Sequence, residues 1–215
     1  MSNDAAQAIL KKAPVVPVIT INDPGHAVPL AEALIAGGIP VLEVTLRTEA
    51  GLESIRRIKN EVDGAIVGAG TVLGEADLDN ALQAGSEFII TPGLTDALLQ
   101  AGASCGVPFM PGIATVSEMM RCREKGLKTL KFFPAEANGG AKALAAFSGP
   151  FPDMRFCPTG GIGLANLADY IALPAVLSVG GTWVAPEKLI ANQQWDAITQ
   201  LAREAATLVS QLRSK

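Results

Sequence analysis

The chain has 215 residues, of which 49% are hydrophobic and 18% charged, a composition that excludes intrinsic disorder and allows a sizeable buried core within one domain spanning residues 1–215. Seventeen Lys and Arg against 21 Asp and Glu leave a net charge of -4 with no basic stripe, which argues against a nucleic-acid or anionic-membrane partner. Three cysteines without a CxxC pair and a single histidine, His26, can assemble neither a disulfide framework nor the usual zinc ligand sets, so His26 reads as structural and no metal is expected.

In chain order, Ala5 to Lys12 reads as an extra N-terminal helix, with no basic-then-apolar leader before it and no apolar run long enough to span a membrane. Short β-rich runs then begin near Val15, Val41, Ala65, Phe88, Pro108, Thr129, Arg155 and Val176, at intervals of 20 to 26 residues. A near-constant period of this kind marks a repeated supersecondary unit. Between the runs, stretches such as Ala27 to Ala36, Leu52 to Val62, Ala76 to Ala84, Ser117 to Lys125 and Leu189 to Leu212 have the periodicity of amphipathic helices. Eight apolar strands alternating with helices require a parallel sheet with its outer face covered, either doubly wound and open or closed into a barrel.

Eight units is the closing number of a (β/α)8 barrel. The strands also end in chemically similar corners: Thr91-Pro92-Gly93, Met110-Pro111-Gly112, Phe133-Pro134-Ala135 and Pro158-Thr159-Gly160-Gly161. A doubly wound sheet would gather its glycines at one switch point. The expected fold is therefore an α/β (β/α)8 TIM barrel, its floor capped by the N-terminal helix and its chemistry at the C-terminal mouth.

Lys131 interrupts the apolar strand Leu130-Lys131-Phe132-Phe133, whereas the other lysines lie in helical, loop or terminal stretches. A barrel-facing amine held out of water favours the neutral form that attacks a carbonyl. The plainer alternatives are an ion-paired lysine at the mouth or a strand turned outward there. Glu43 intrudes likewise into Val41-Leu42-Glu43-Val44-Thr45-Leu46-Arg47, where alternation puts Glu43, Thr45 and Arg47 on one face. A carboxylate inside a barrel must be paired or functional, and Glu43 could neutralise Lys131 or Arg47 while still taking part in catalysis. Arg47 offers a fork suited to a carboxylate or phosphate, and Thr71 adds a hydroxyl at the next mouth. The paired glycines Gly160-Gly161 and Gly180-Gly181, flanked by Thr159 and Thr182, close the last two strands, where such barrels hold phosphate on backbone N–H groups and helix starts.

The motifs Glu43-Val44-Thr45-Leu46-Arg47-Thr48, Gly68-Ala69-Gly70-Thr71-Val72, Lys131-Phe132-Phe133-Pro134-Ala135-Glu136 and Pro158-Thr159-Gly160-Gly161 closely resemble those of the 2-keto-3-deoxy-6-phosphogluconate (KDPG) aldolase family, whose bifunctional members also act as 4-hydroxy-2-oxoglutarate aldolases. The resemblance runs from about Val15 to the C-terminal helix. It implies a metal-free, cofactor-free class I aldolase of the Entner-Doudoroff pathway, cytoplasmic and commonly homotrimeric, acting on a small 2-keto acid phosphate. On that resemblance Lys131 forms the Schiff base and Glu43 is the general acid/base. Arg47 and Thr71 hold the pyruvate-type carboxylate, and Phe133 packs beside the imine. Thr159, Gly160, Gly161, Gly181 and Thr182 line the hydroxyl and phosphate end. The family often has serine where this chain has Thr182, which keeps the hydroxyl and alters the sterics. Two competing readings remain: a phosphosugar isomerase using Glu43 as base without a covalent adduct, and a non-catalytic phosphosugar-binding module that would tolerate loss of Lys131.

Overall fold

A computed structural model describes residues 3–214 of the chain. Helix α1 (Asn3–Lys12) leads into strand β1 (Val15–Ile19), followed by α2 (Ala27–Ala36), β2 (Val41–Thr45), α3 (Gly51–Glu61), β3 (Ile66–Gly70), α4 (Glu75–Gln83) and β4 (Ile89–Ile90). Then come α5 (Asp96–Ala103), β5 (Phe109–Met110), β6 (Gly112–Ile113), α6 (Val116–Glu124), β7 (Thr129–Phe132) and α7 (Gly140–Ser148). The last elements are β8 (Arg155–Pro158), α8 (Leu167–Ile171), β9 (Val179–Gly181), α9 (Glu187–Ala191) and α10 (Trp195–Arg213). This is an α/β fold in which a curled parallel sheet is covered by helices. One run pairs in the order β5-β4-β3-β2-β1-β9 and the other in the order β6-β7-β8. Between β8 and the approach to β9, isolated parallel bridges join Phe156 to Val176 and Thr159 to Gly180.

The apolar pattern explains these layers. All five residues of β1 and all five of β2 are buried, as expected of strands covered on both faces. The larger core lies between the outer sheet face and the helices. A second core, made by Val16, Val41, Phe88, Ile90, Met110 and Cys157 together with Ala6, Leu10 and Ala13, fills the concave side. It joins side chains from five strands that do not all neighbour one another, and α1 packs onto it. Leu10 is fully buried there, a burial that stabilises the fold by roughly 2 kcal/mol. On the outside α10 buries Ile198, Ala202, Ala205 and Val209 along one stripe. Thr199 Oγ1 donates to the Ala33 carbonyl at 2.9 Å, and Gly37 is what lets the helix lie this close, since a Cβ there would strike Ala202.

The predicted elements need three corrections. Met110-Pro111-Gly112 is not a strand end: β5 pairs with β4 through Ile90↔Met110, and β6 resumes beyond Pro111 to pair with β7 through Gly112↔Lys131. Proline has no N–H to give a ladder, so the strand changes partner across it. The last strand starts at Val179, not Val176, which joins only by its single bridge. The stretch Leu189 to Leu212 is two helices, because Gln193 takes a left-handed backbone (φ 53°) between them. His26 closes a 3-10 turn (Pro24–His26) and meets Trp195 edge-on, with ring centroids 5.7 Å apart, a packing role as expected. No helix among the described residues is long and apolar enough to cross a membrane.

Candidate active site

Lys131 lies in the middle of β7 and Glu43 in the middle of β2, strands that are not neighbours in either run. Both side chains point to the concave side and meet there: Lys131 Nζ donates to Glu43 Oε1 at 3.0 Å, with Glu43 1% and Lys131 4% exposed. The alternative of an outward-facing Lys131 is thereby removed. The Lys131 ammonium also lies 5.3 Å from the centroid of the Phe133 ring, so Phe133 flanks the amine from the strand end. Cys157 on β8 is paired in register with Lys131. Burial, with the Glu43 carboxylate adding to it, pushes its thiol up to about 12, so it stays protonated and unreactive near neutral pH.

Space for the Glu43 carboxylate comes from a residue that sequence reasoning passed over. Gly68 and Gly70 alternate along β3, which pairs with β2 through Glu43↔Gly68 and Thr45↔Gly70. A Cβ on Gly68 would collide with the Phe88 ring, and one on Gly70 would overlap the Glu43 carboxylate. Two glycines at a spacing of two in a buried strand are the signal that could have found this. Gly70→Ala is expected to push Glu43 out of line with Lys131. The expected loss in kcat/KM is about 10- to 100-fold, with about 1–3 kcal/mol of stability from overpacking, read by steady-state kinetics beside thermal denaturation.

Thr45, on the same face as Glu43, spends its hydroxyl on the Ile19 carbonyl at 2.8 Å and so serves the sheet. Arg47 stands beyond the strand end, where its Nε donates to Thr71 Oγ1 at 3.2 Å. Thr71 has φ 58°, a left-handed conformation that costs a β-branched residue of order 1–3 kcal/mol. That cost is met at the point where its hydroxyl orients the guanidinium.

Arg47, Phe133, Thr159, Gly160, Gly161, Gly181 and Thr182 line one cavity of about 150 Å³ together with Val18, Ile162 and Gly180. It gathers every predicted binding residue except Thr71, which reaches it through Arg47. Gly180 leaves room for Thr159, whose hydroxyl a Cβ at Gly180 would strike. Gly160 (φ 103°) and Gly161 (φ 77°) have backbones that other residues rarely adopt. The N–H groups of Gly161 and Ile162 find no acceptor among the described residues, and consecutive free N–H groups in a left-handed turn form an anion-binding nest. After Gly161 the next helix, α8, begins only at Leu167 and spans five residues, so peptide N–H groups supply the positive end.

A larger groove, about 660 Å³, lies on the other side of the glycine corner and includes Glu136, Asn166 and Tyr170. Its one lysine, Lys142, is exposed, so the groove lacks a desolvated amine. The Tyr170 hydroxyl donates to Glu136 Oε1 there. Burial and that carboxylate raise the phenol above its ordinary range.

A buried amine beside a buried carboxylate, with Phe133 shared between the amine and a small cavity lined by Arg47 and peptide N–H groups, can form an imine with a carbonyl compound and move protons around it while an anion is held further out. Comparison with known proteins gives a family model, KDPG and KHG aldolase, that matches residues 6–201. The KHG/KDPG aldolase of Escherichia coli strain K12 is 55% identical over 201 residues, covering 94% of each chain. Among solved structures, KDPG aldolase from Legionella pneumophila with pyruvate captured as a covalent carbinolamine superposes with a TM-score of 0.90 at 45% identity, covering 93% of this chain and 97% of that one. The aldolase of Zymomonas mobilis ZM4 with 3-phosphoglycerate gives 0.89 at 45% identity, covering 96% of both.

Proposed function

The chain belongs to the KDPG and KHG aldolase family, and from that premise we propose that it is a class I aldolase in which Lys131 and Glu43 carry the reaction. It is a lyase that cleaves 2-keto-3-deoxy-6-phosphogluconate to pyruvate and glyceraldehyde 3-phosphate, and 4-hydroxy-2-oxoglutarate to pyruvate and glyoxylate. The observation that carries the reading is the desolvated Lys131 amine 3.0 Å from the Glu43 carboxylate.

The steps follow from that contact. Glu43 takes the proton of the Lys131 ammonium it pairs with, the freed amine adds to the C2 ketone, and Glu43 gives that proton to the carbinolamine hydroxyl, which leaves as water to make a protonated iminium. Glu43 then takes the proton of the C4 hydroxyl, the C3–C4 bond breaks, and its electron pair runs into the iminium to give an enamine while the aldehyde leaves. The protonated Glu43 returns its proton to C3 of the enamine, and water hydrolyses the resulting pyruvyl imine to free the amine. Arg47, braced by Thr71, binds the carboxylate of the keto acid. Phe133 packs beside the imine. Thr159, Gly160, Gly161, Gly181 and Thr182 receive the hydroxyl and phosphate end.

The same proposal takes the sheet as a closed (β/α)8 barrel within one domain, residues 1–215, with α1 across the floor. The bridges between β8 and β9, the strand shared across Pro111 and a Lys131–Glu43 bond between non-neighbouring strands support closure. A cytoplasmic homotrimer in the Entner-Doudoroff pathway is part of this proposal on the family likeness. The test is borohydride reduction with pyruvate, followed by peptide mass spectrometry and a coupled cleavage assay. A pyruvyl adduct on Lys131 with release of pyruvate from the phosphorylated substrate is expected. A folded protein without the adduct would return the site to the isomerase or binding-module reading.

A further inference from the structure

A trans peptide points its N–H and its C=O in opposite directions, so whatever holds the carbonyl aims the amide that follows. At the glycine corner the Gly160 carbonyl accepts from the Glu136 N–H at 3.1 Å, and the Gly161 carbonyl accepts from Asn166 Nδ2 at 3.0 Å. Glu136 and Asn166 both line the outer groove, and neither lines the cavity beyond Lys131. The N–H groups of Gly161 and Ile162 are thereby turned to the cavity side, where they have no protein acceptor among the described residues.

The two holds differ in kind. That on Gly160 is backbone to backbone, with the Glu136 stem packed against Gly161 and its carboxylate kept in the groove by Tyr170. That on Gly161 depends on one side chain. Asn166 also accepts from the Gly163 N–H at 2.8 Å through Oδ1, so its amide spans the corner and cannot turn without losing both bonds.

We propose that Asn166 is a positioning residue that fixes the Gly161 carbonyl outward, aims the Ile162 N–H at the substrate phosphate, and so sets the preference for phosphorylated over unphosphorylated keto acids. The inference rests on the aldolase reading above. Asn166 does not touch the substrate; it acts through the peptide it holds.

The experiment compares KM for 2-keto-3-deoxy-6-phosphogluconate with KM for 4-hydroxy-2-oxoglutarate in the full chain, in Asn166→Ala and in Asn166→Asp. The aspartate variant keeps the Gly163 bond and loses only the donor facing Gly161; high salt screens its added charge. The ratio of the two KM values is expected to shift about tenfold in both variants, carried by the phosphorylated substrate, the size of one well-aimed hydrogen bond to an anion. A ratio that stays constant, whether both KM values move together or neither moves, overturns the proposal. If the unaltered chain cleaves neither substrate and traps no pyruvate, the aldolase reading is what fails. Inorganic phosphate then decides on Asn166: a dissociation constant about tenfold weaker in Asn166→Ala upholds the positioning role, and an equal one ends it.

Discussion

Replacing Lys131 with methionine is expected to lower kcat/KM by at least about a thousandfold and to abolish the borohydride-trapped pyruvyl adduct. Among the described residues no other lysine is buried. Burial holds Cys157 as a thiol near neutral pH, and Lys142 is exposed and lines the outer groove, not the cavity. The substitution also leaves the Glu43 carboxylate, 1% exposed, without its cation. Breaking a buried pair from one side costs about 3–5 kcal/mol, so Lys131→Met should melt well below the unaltered chain. The double variant Lys131→Met with Glu43→Gln removes both charges and should regain much of that stability while remaining inactive. A Lys131→Met protein within tenfold of normal turnover would mean that no imine is made at this residue.

Glu43→Gln is the second large effect, and it separates the two roles. Glutamine keeps the shape and can still accept from Lys131, so the amine remains in place and pyruvate is still trapped, at a lower rate. Proton transfer is what disappears. The expected loss in kcat is about 10²- to 10⁴-fold, with the exchange of pyruvate methyl protons into deuterated water slowed in step. NMR of pyruvate incubated with the variant reads this directly. Unchanged exchange would show that another group, or solvent, delivers the proton to the enamine carbon.

Why Lys131 and Glu43 stand out in the sequence while Gly70 leaves only a faint signal and Asn166 none is a matter of burial. A charge in an apolar strand violates the pattern around it, and the violation is visible in one dimension because the strand alternates strictly. Gly70 breaks the pattern only mildly, as one of two glycines spaced by two in an apolar strand, and matters through Glu43 on the neighbouring strand; Asn166 is a polar residue in a loop that breaks no pattern, and it matters through the backbone directions of its near neighbours Gly161 and Gly163. The strand starts at Val15, Val41, Thr129 and Arg155 agree with the structure to the residue, since continuous apolar runs flanked by turns leave little choice. The last strand begins later than its apolar run because Val176 precedes the segment that meets β1 through Val15↔Val179. The C-terminal helix reads as continuous because its apolar period passes across Gln193, whose left-handed backbone has no strong signature in glutamine. Helix α7 (Gly140–Ser148) is masked by its small residues, which carry little amphipathic contrast, and α8, at five residues, is too short to show a period.

The two groups that meet at 3.0 Å are 88 positions apart in the chain. While the protein is being synthesised, the first half exposes a lone acidic side chain on a forming strand, and nothing able to capture a keto acid exists until β7 has been made and has swung round to face β2. Reactivity therefore arrives late and all at once. An incomplete or half-wound chain cannot trap metabolites as a dead-end adduct, and the appearance of aldol cleavage marks the moment when the two sides of the sheet have come together.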